Sequence, residues 1–296
     1  MTEQEYIDHI NDSISEINSI DFTNNWAYEE VIHAILKIKK LPIILFKLPK
    51  GSLIFRSRIN SDDQLYKKVL DLSAPENKFV TEYARANKPR QVLFYGSETR
   101  PVSYLEFANK LSETTPFGQT VSITVGAWEI LKELLLVLVF NPLLERNNSY
   151  NRFHGEAFDE FITKTPEELR KGTIRFFEFI GNKYGELVQN GNDHTYLITC
   201  AYSNIVFSYE QSDGIMYPSV PLGGEGFNVA LKKNIVDANL LKLRNAKTDK
   251  FLATQQDNGK HKFSNISSVD SSSTDDIHIN WDNEWINHAE VAQTNP

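Results

Sequence analysis

Apolar residues recur at three- and four-residue steps from the start of the chain, where Ile7, Ile10, Ile14, Ile17 and Ile20 make one stripe. That stripe predicts an amphipathic helix. Thr2-Glu3-Gln4-Glu5 ahead of it has capping-box spacing, in which two side chains accept from each other's backbone N–H groups. A second helical stretch runs from about Ala27 to Lys40 and should stop at Leu41-Pro42, because a residue before proline avoids the α region. Two β-like runs follow, IILFKL and SLIFRSRI, divided by the turn residues Pro49-Lys50-Gly51. The helical head therefore ends near residue 45.

Beyond it the pattern changes repeatedly. Residues 72–106 alternate between loop and strand signals, and 122–140 read as helical or mixed, including the apolar run LLLVLVF at 134–140. That run falls far short of the roughly 20 apolar residues of a membrane span and predicts a buried element. Thr165-Pro166-Glu167-Glu168 is a helix start, with Thr as N-cap and Pro at the first helical position. Leu169, Thr173, Phe176, Phe177, Ile180, Tyr184 and Leu187 then share one face, and Gly191 should lie just past the end. The alternating, β-branched segment YLITCAYSNIVFSYE, 196–210, predicts a strand or broken hairpin, and FNVALKK, 227–233, another strand. Asn258-Gly259 between two alternating runs is a hairpin signal. SNISSVDSSSTDD, 264–276, predicts a flexible low-complexity linker, with INWDNEWINH as a small docking tail. No internal repeat is present.

Composition narrows the class. The chain has 296 residues, 41% of them hydrophobic and 24% charged, which fits a folded protein rather than a disordered one. A formal charge of -8 opposes broad attraction to nucleic acid or to an anionic membrane, so neither is expected as a partner. The single cysteine, Cys200, excludes an internal disulfide framework and points to a reducing, cytoplasmic setting. MTEQEYIDHI lacks the basic and apolar regions of a secretory signal.

The familiar catalytic motifs are missing. Cys200 follows His194 by six residues, but thiol–imidazole pairs are made in space, and a cysteine in an apolar segment is ordinarily a packed one. Seven histidines are scattered with no HExxH or CxxC spacing, so no metal is expected. PLGGEGFNV, 221–229, lacks the third glycine and the following helix of a dinucleotide fingerprint; it suits a loop that makes positive-φ turns or lets backbone approach a ligand.

The segment YARANKPRQVLFYGSETRPVSYLE places Arg85, Tyr95 and Glu106 at the ends of small elements. By residue type alone these read as a turn arginine, a half-buried strand tyrosine and a solvated helix glutamate. Together with GSLIFRSR upstream and DGIMYPSVPLGGEGFNVAL downstream, however, the segment resembles the RES domain family, named for its Arg, Glu and Ser. The turn Ala84-Arg85-Ala86-Asn87 resembles the family's Gly-Arg-aromatic-Asn turn, VLFYGS its strand ending in Tyr, and Glu106 the acid opening its next helix. Ser219 in IMYPSV, Asn228 in FNVAL and the Phe55-Arg56 pair complete the likeness. Alanines replace the usual glycine and aromatic beside Arg85, and the stretch from Glu106 to Ser219 is longer than in compact members.

The resemblance implies an α+β, ADP-ribosyltransferase-like fold with a mixed β core over 46–244. It would carry an N-terminal helical extension at 1–45, a helical insertion at about 125–190 and a hairpin, linker and tail at 245–296. It further implies a cytoplasmic toxin that degrades NAD+ by phosphorolysis or hydrolysis, with Arg85, Tyr95, Glu106 and Ser219 catalytic and Arg56, Asn87 and Asn228 binding substrate. NAD+ is then a substrate rather than a cofactor, inorganic phosphate a possible co-substrate, and a protein antitoxin or immunity partner is expected over the cleft. An inactive NAD- or partner-binding module, an ADP-ribosyltransferase and a plain interaction protein built around the helical head remain alternatives.

Overall fold

The computed structural model describes residues 1–61, 63–188, 194–221, 225–282 and 284–288. Helices α1 (Glu3–Ser19) and α2 (Ala27–Leu36) lead into strands β1 (Leu45–Leu48) and β2 (Leu53–Ile59). Two 3-10 turns (Val69–Leu72, Asn77–Phe79) precede β3 (Leu93–Ser97), α3 (Arg100–Leu105) and α4 (Ala108–Thr114). Strands β4 (Thr120–Ile130) and β5 (Leu134–Leu138) come before helices α5 (Ser149–Lys164), α6 (Glu167–Gly185) and α7 (His194–Phe207). The chain continues through β6 (Gly214–Pro218), β7 (Phe227–Lys232), α8 (Lys233–Asp237) and the long strands β8 (Leu241–Gln255) and β9 (His261–Thr274). Short strands β10 (Ile279–Trp281) and β11 (Ile286–Asn287) follow. The architecture is mixed α+β. Among the described residues, no helix is long and apolar enough to cross a membrane.

The chain divides into two units, each assembled from separate stretches. The first comprises Met1–Leu48, Pro75–Phe94 and Glu133–Lys233; the second comprises Pro49–Ala74, Tyr95–Lys132 and Asn234–Pro296.

In the first unit the strand order is β1-β5-β6-β7, with β5 and β6 parallel and the other pairs antiparallel. The run at 134–140 is thus strand β5, flanked on both edges, where the sequence suggested a helical or mixed element. A strand covered on both faces is continuously apolar, which hides its period of two. The capping box of α1 forms as expected, and Ile10, Ile14 and Ile17 are buried. Helix α1 lies against α6, and the contact is close: a Cβ on Gly172 would come within 2.5 Å of the Tyr6 ring. Helix α2 stops at Leu36, short of the expected Lys40, because Lys40 takes positive φ and its carbonyl accepts from the Tyr6 hydroxyl.

Three further expectations in this unit need correction. Residues 196–207 are helical in α7, not a strand; α7 is buried nearly all round and packs on α2, so it shows no polar face to reveal its period. Thr165 is not the N-cap of α6. It closes α5, its hydroxyl donating to the Phe161 carbonyl, and Pro166 takes the cap position with Glu167 and Glu168 in the first turn. The expected helical segment at 125–190 also contains the end of β4 and all of β5. Gly191 lies outside the described residues.

In the second unit the order is β3-β2-β4-β8-β9-β10, with β11 on β9. Strand β4, in the stretch read as helical or mixed, is paired along its length by β2 and β8. Asn258-Gly259 turns β8 into β9 as expected, with Gly259 at φ 79°. The Ser-rich segment is not a linker. Its side chains join the structure: Ser268 is buried and Ser271 Oγ accepts from the Ala246 N–H at 2.8 Å, so a polar composition suits a strand whose hydroxyls are bonded. The supposed docking tail supplies β10 and β11.

Candidate active site

The candidate residues fall into two sets, one in each unit. In the second unit Arg56 extends from β2. Its Nε donates to the Ser73 carbonyl at 3.1 Å and its Nη1 to the Tyr95 carbonyl at 3.0 Å. Lost hydration, and then neighbouring Arg58, pull its guanidinium down to about 10, so it stays cationic at neutral pH. Arg56 and Tyr95 are thereby brought together, the arginine holding the strand backbone that carries the tyrosine. Gly96 lets β3 lie close, since a Cβ there would stand 3.2 Å from Ile54 Cδ1.

Glu106 follows α3 as its C-cap and precedes α4, so it closes one helix rather than opening the next. Its backbone N–H donates to the Val102 carbonyl, and the residue is exposed. A six-residue helix cannot hold its own shape in water. Here Thr99 caps the first turn, and two anchors hold α3 down. Ser103 Oγ donates to the Arg100 carbonyl at 2.7 Å, so the 2.6 Å contact between the Ser103 and Ser57 hydroxyls must be donated by Ser57. The Tyr104 hydroxyl donates to Asp249, a buried carboxylate that also accepts from Asn265 Nδ2 at 3.1 Å. Burial first, and the Asp249 charge with its hydrogen bond next, raise the Tyr104 phenol far above its usual range, so it remains a donor.

Sequence reasoning missed Tyr104 and Asp249. The one available signal was position, since Tyr104 stands two residues before Glu106; Asp249, between Thr248 and Lys250, looks like a surface acid in sequence.

In the first unit the Ala84 N–H donates to the Asn87 carbonyl at 2.9 Å, which makes the tight turn anticipated around Arg85. Asn87 Nδ2 donates to the Lys88 carbonyl, and Ala86 is wholly buried, leaving no exposed surface where the family has an aromatic. Arg85 itself donates to the carbonyls of Lys183, Tyr184 and Glu186 and lies over the Tyr196 ring at 5.5 Å. Its charge therefore sits on the carbonyl end of α6, where the helix dipole favours a cation. Ser219 and Asn228 come together on one hairpin: Tyr217 pairs with Asn228, and the Ser219 N–H donates to the Gly226 carbonyl at 3.1 Å. Both are buried. Gly226 has φ 75°, the positive-φ turn expected of this loop, whereas Gly223 and Gly224 lie outside the described residues. Glu225 accepts from the Ser149 N–H, tying the loop to the start of α5.

Cys200 is buried in α7, and burial pushes its thiol up to about 12, against nucleophilic use. Among the described residues there is no group of three His, Cys, Asp or Glu side chains able to hold a metal ion. No protein-family model matches the chain, and no curated protein does.

Proposed function

We propose that this chain is an NAD+-consuming enzyme of RES type, cleaving the nicotinamide–ribose bond. One observation carries the reading: an exposed carboxylate, Glu106, stands at the end of a short helix pinned by two side-chain anchors, the buried Ser103 and the half-buried Tyr104, beside a strand system in which Arg56 fixes the Tyr95 backbone. Such anchoring suits a group that must meet developing charge in one position.

In the proposed reaction the C1″–N bond breaks and its electron pair leaves with nicotinamide, neutralising the pyridinium. The ribose is left as an oxocarbenium-like cation, which the Glu106 carboxylate stabilises. Water attack gives ADP-ribose and a proton; attack by a phosphate oxygen gives ADP-ribose-1″-phosphate. Tyr95 offers an aromatic face to nicotinamide or ribose. Arg85, with its donors on the α6 carbonyls, acts by holding the turn, and Asn87 closes that turn. A toxin role restrained by a protein antitoxin follows from the family resemblance.

The test is to incubate the full chain with NAD+, with and without inorganic phosphate, and to follow nicotinamide by chromatography. Product in phosphate alone means phosphorolysis; product in both buffers means hydrolysis. No nicotinamide in either buffer overturns the reading, as does full turnover by Glu106→Ala.

A further inference from the structure

The second unit contains a cavity of about 660 Å³, a size suited to a small organic ligand, that none of the candidate residues lines. Three irregularities in regular structure make it. Gly126 lies in mid-strand in β4, where a Cβ would stand 2.7 Å from Leu243 Cδ1 and 2.9 Å from Trp128 Nε1, so those two side chains settle directly onto the strand. A glycine inside a strand weakens it and commonly marks a close approach. Between Ala127 and Trp128 the pairing with β8 slips, Asn245 opposing the first and Leu243 the second. Arg244 is the extra residue of a bulge, and the bulge re-aims the side chains that follow. Asn239, at φ 53°, turns the chain from α8 into β8 at the cavity's edge.

The result is an apolar floor of Trp128, Leu241 and Leu243, all buried, beneath a mouth edged by Leu70, which is 74% exposed. Asp237, Asp275 and Asp276 stand exposed around that mouth, and Lys242 is the one cation lining it. The Lys242 ammonium lies 3.4 Å from Asp276, and Asp275 beside it lies 3.6 Å from His278 Nδ1, so adjacent carboxylates Asp275 and Asp276 face one lysine on this rim. The Asp275 carboxyl is held below its ordinary range by the backbone N–H groups of His278 and Ile277, so it stays charged at neutral pH.

We infer that this cavity binds an amphipathic organic cation, an aromatic or aliphatic body seated on Trp128 and Leu243 with its ammonium at the aspartates. The floor supplies apolar area and the rim supplies the sign of the charge, so shape and charge together select the ligand class. The cavity and its test are independent of NAD+ cleavage.

Calorimetric titration of the full chain with three probes of nearly equal size decides it: 2-phenylethylammonium, neutral 2-phenylethanol and anionic phenylacetate. The ammonium should bind saturably and at least tenfold more tightly than the alcohol, with phenylacetate weakest. Combined Asp275→Asn and Asp276→Asn should bring the ammonium to the level of the alcohol and leave the alcohol unchanged. Asparagine at 275 still accepts the two backbone N–H groups, so the turn is preserved. Leu70→Arg, at an exposed site, should abolish binding of the ammonium by setting a cation in the mouth. Equal binding of ammonium and alcohol, saturation by neither, or undiminished ammonium binding by the double asparagine variant overturns the inference.

Discussion

In the first unit the polar residues singled out for chemistry are buried or spent on backbone: Ser219 and Asn228 on the β6–β7 hairpin, and Arg85 on the α6 carbonyls. In the second unit the buried Ser57, Ser103 and Asp249, with the half-buried Tyr104, hold in place a helix that ends in an exposed acid. The contrast separates two uses of polarity. In one unit it secures turns and a hairpin; in the other it secures a short helix whose end carries Glu106.

Acid should distinguish the units most strongly. His154 in α5 is enclosed by Phe46, Tyr150 and Phe153, its Nδ1 is without a hydrogen bond, and burial lowers its imidazole to about 4. Below the ordinary histidine range the unfolded chain binds a proton that the native chain refuses. This contribution is therefore present in full above about pH 6.5 and lost as pH falls toward 4, about 3 kcal/mol in all. Thermal melts between pH 7 and 4.5 should show a steep loss of stability that His154→Leu removes; an unchanged slope would break the assignment.

Next in size, Glu106→Gln should lower nicotinamide release by about 100-fold, near 2.7 kcal/mol of barrier, with a far smaller effect on the thermal midpoint, since the residue is exposed. Arg85→Ala should do the reverse within its own unit. It removes three bonds to carbonyls and costs about 2 kcal/mol, roughly 4–8 °C in thermal midpoint, and Arg85→Lys, which lacks the planar fork, should not restore it. Equal falls in activity and stability for both variants would erase the comparison. The smallest expected effect is that of Ser103→Ala, about 1 kcal/mol, with kcat lowered and KM unchanged if the anchor serves Glu106.

Where the sequence was readable, local chemistry and tertiary packing agreed. Helix α1 carries its own capping box and stripe, and the β8–β9 turn has Asn258-Gly259. Helix α7 and strands β4, β5 and β9 were hidden for physical reasons. Burial on nearly every side removes the polar phase that marks a period, and serines that find partners in a sheet look in one dimension like serines that find only water. The candidate site divides the same way. A turn at Arg85 and a solvated helix acid at Glu106 follow from neighbouring residues, but the partners of Arg56 lie 17 and 39 residues away and those of Arg85 about a hundred. Nothing in a single sequence names partners at such distances.

The interleaving of the units bears on synthesis. Since Glu133–Lys233 belongs with Met1–Leu48, and Asn234–Pro296 with Pro49–Ala74, neither unit can close while its early segments are the only ones outside the ribosome. The apolar face of α1 emerges before α6, its main packing partner, and until then has α2 alone beside it. A nascent chain of this design depends on delay rather than speed, and holding chaperones would meet it at α1.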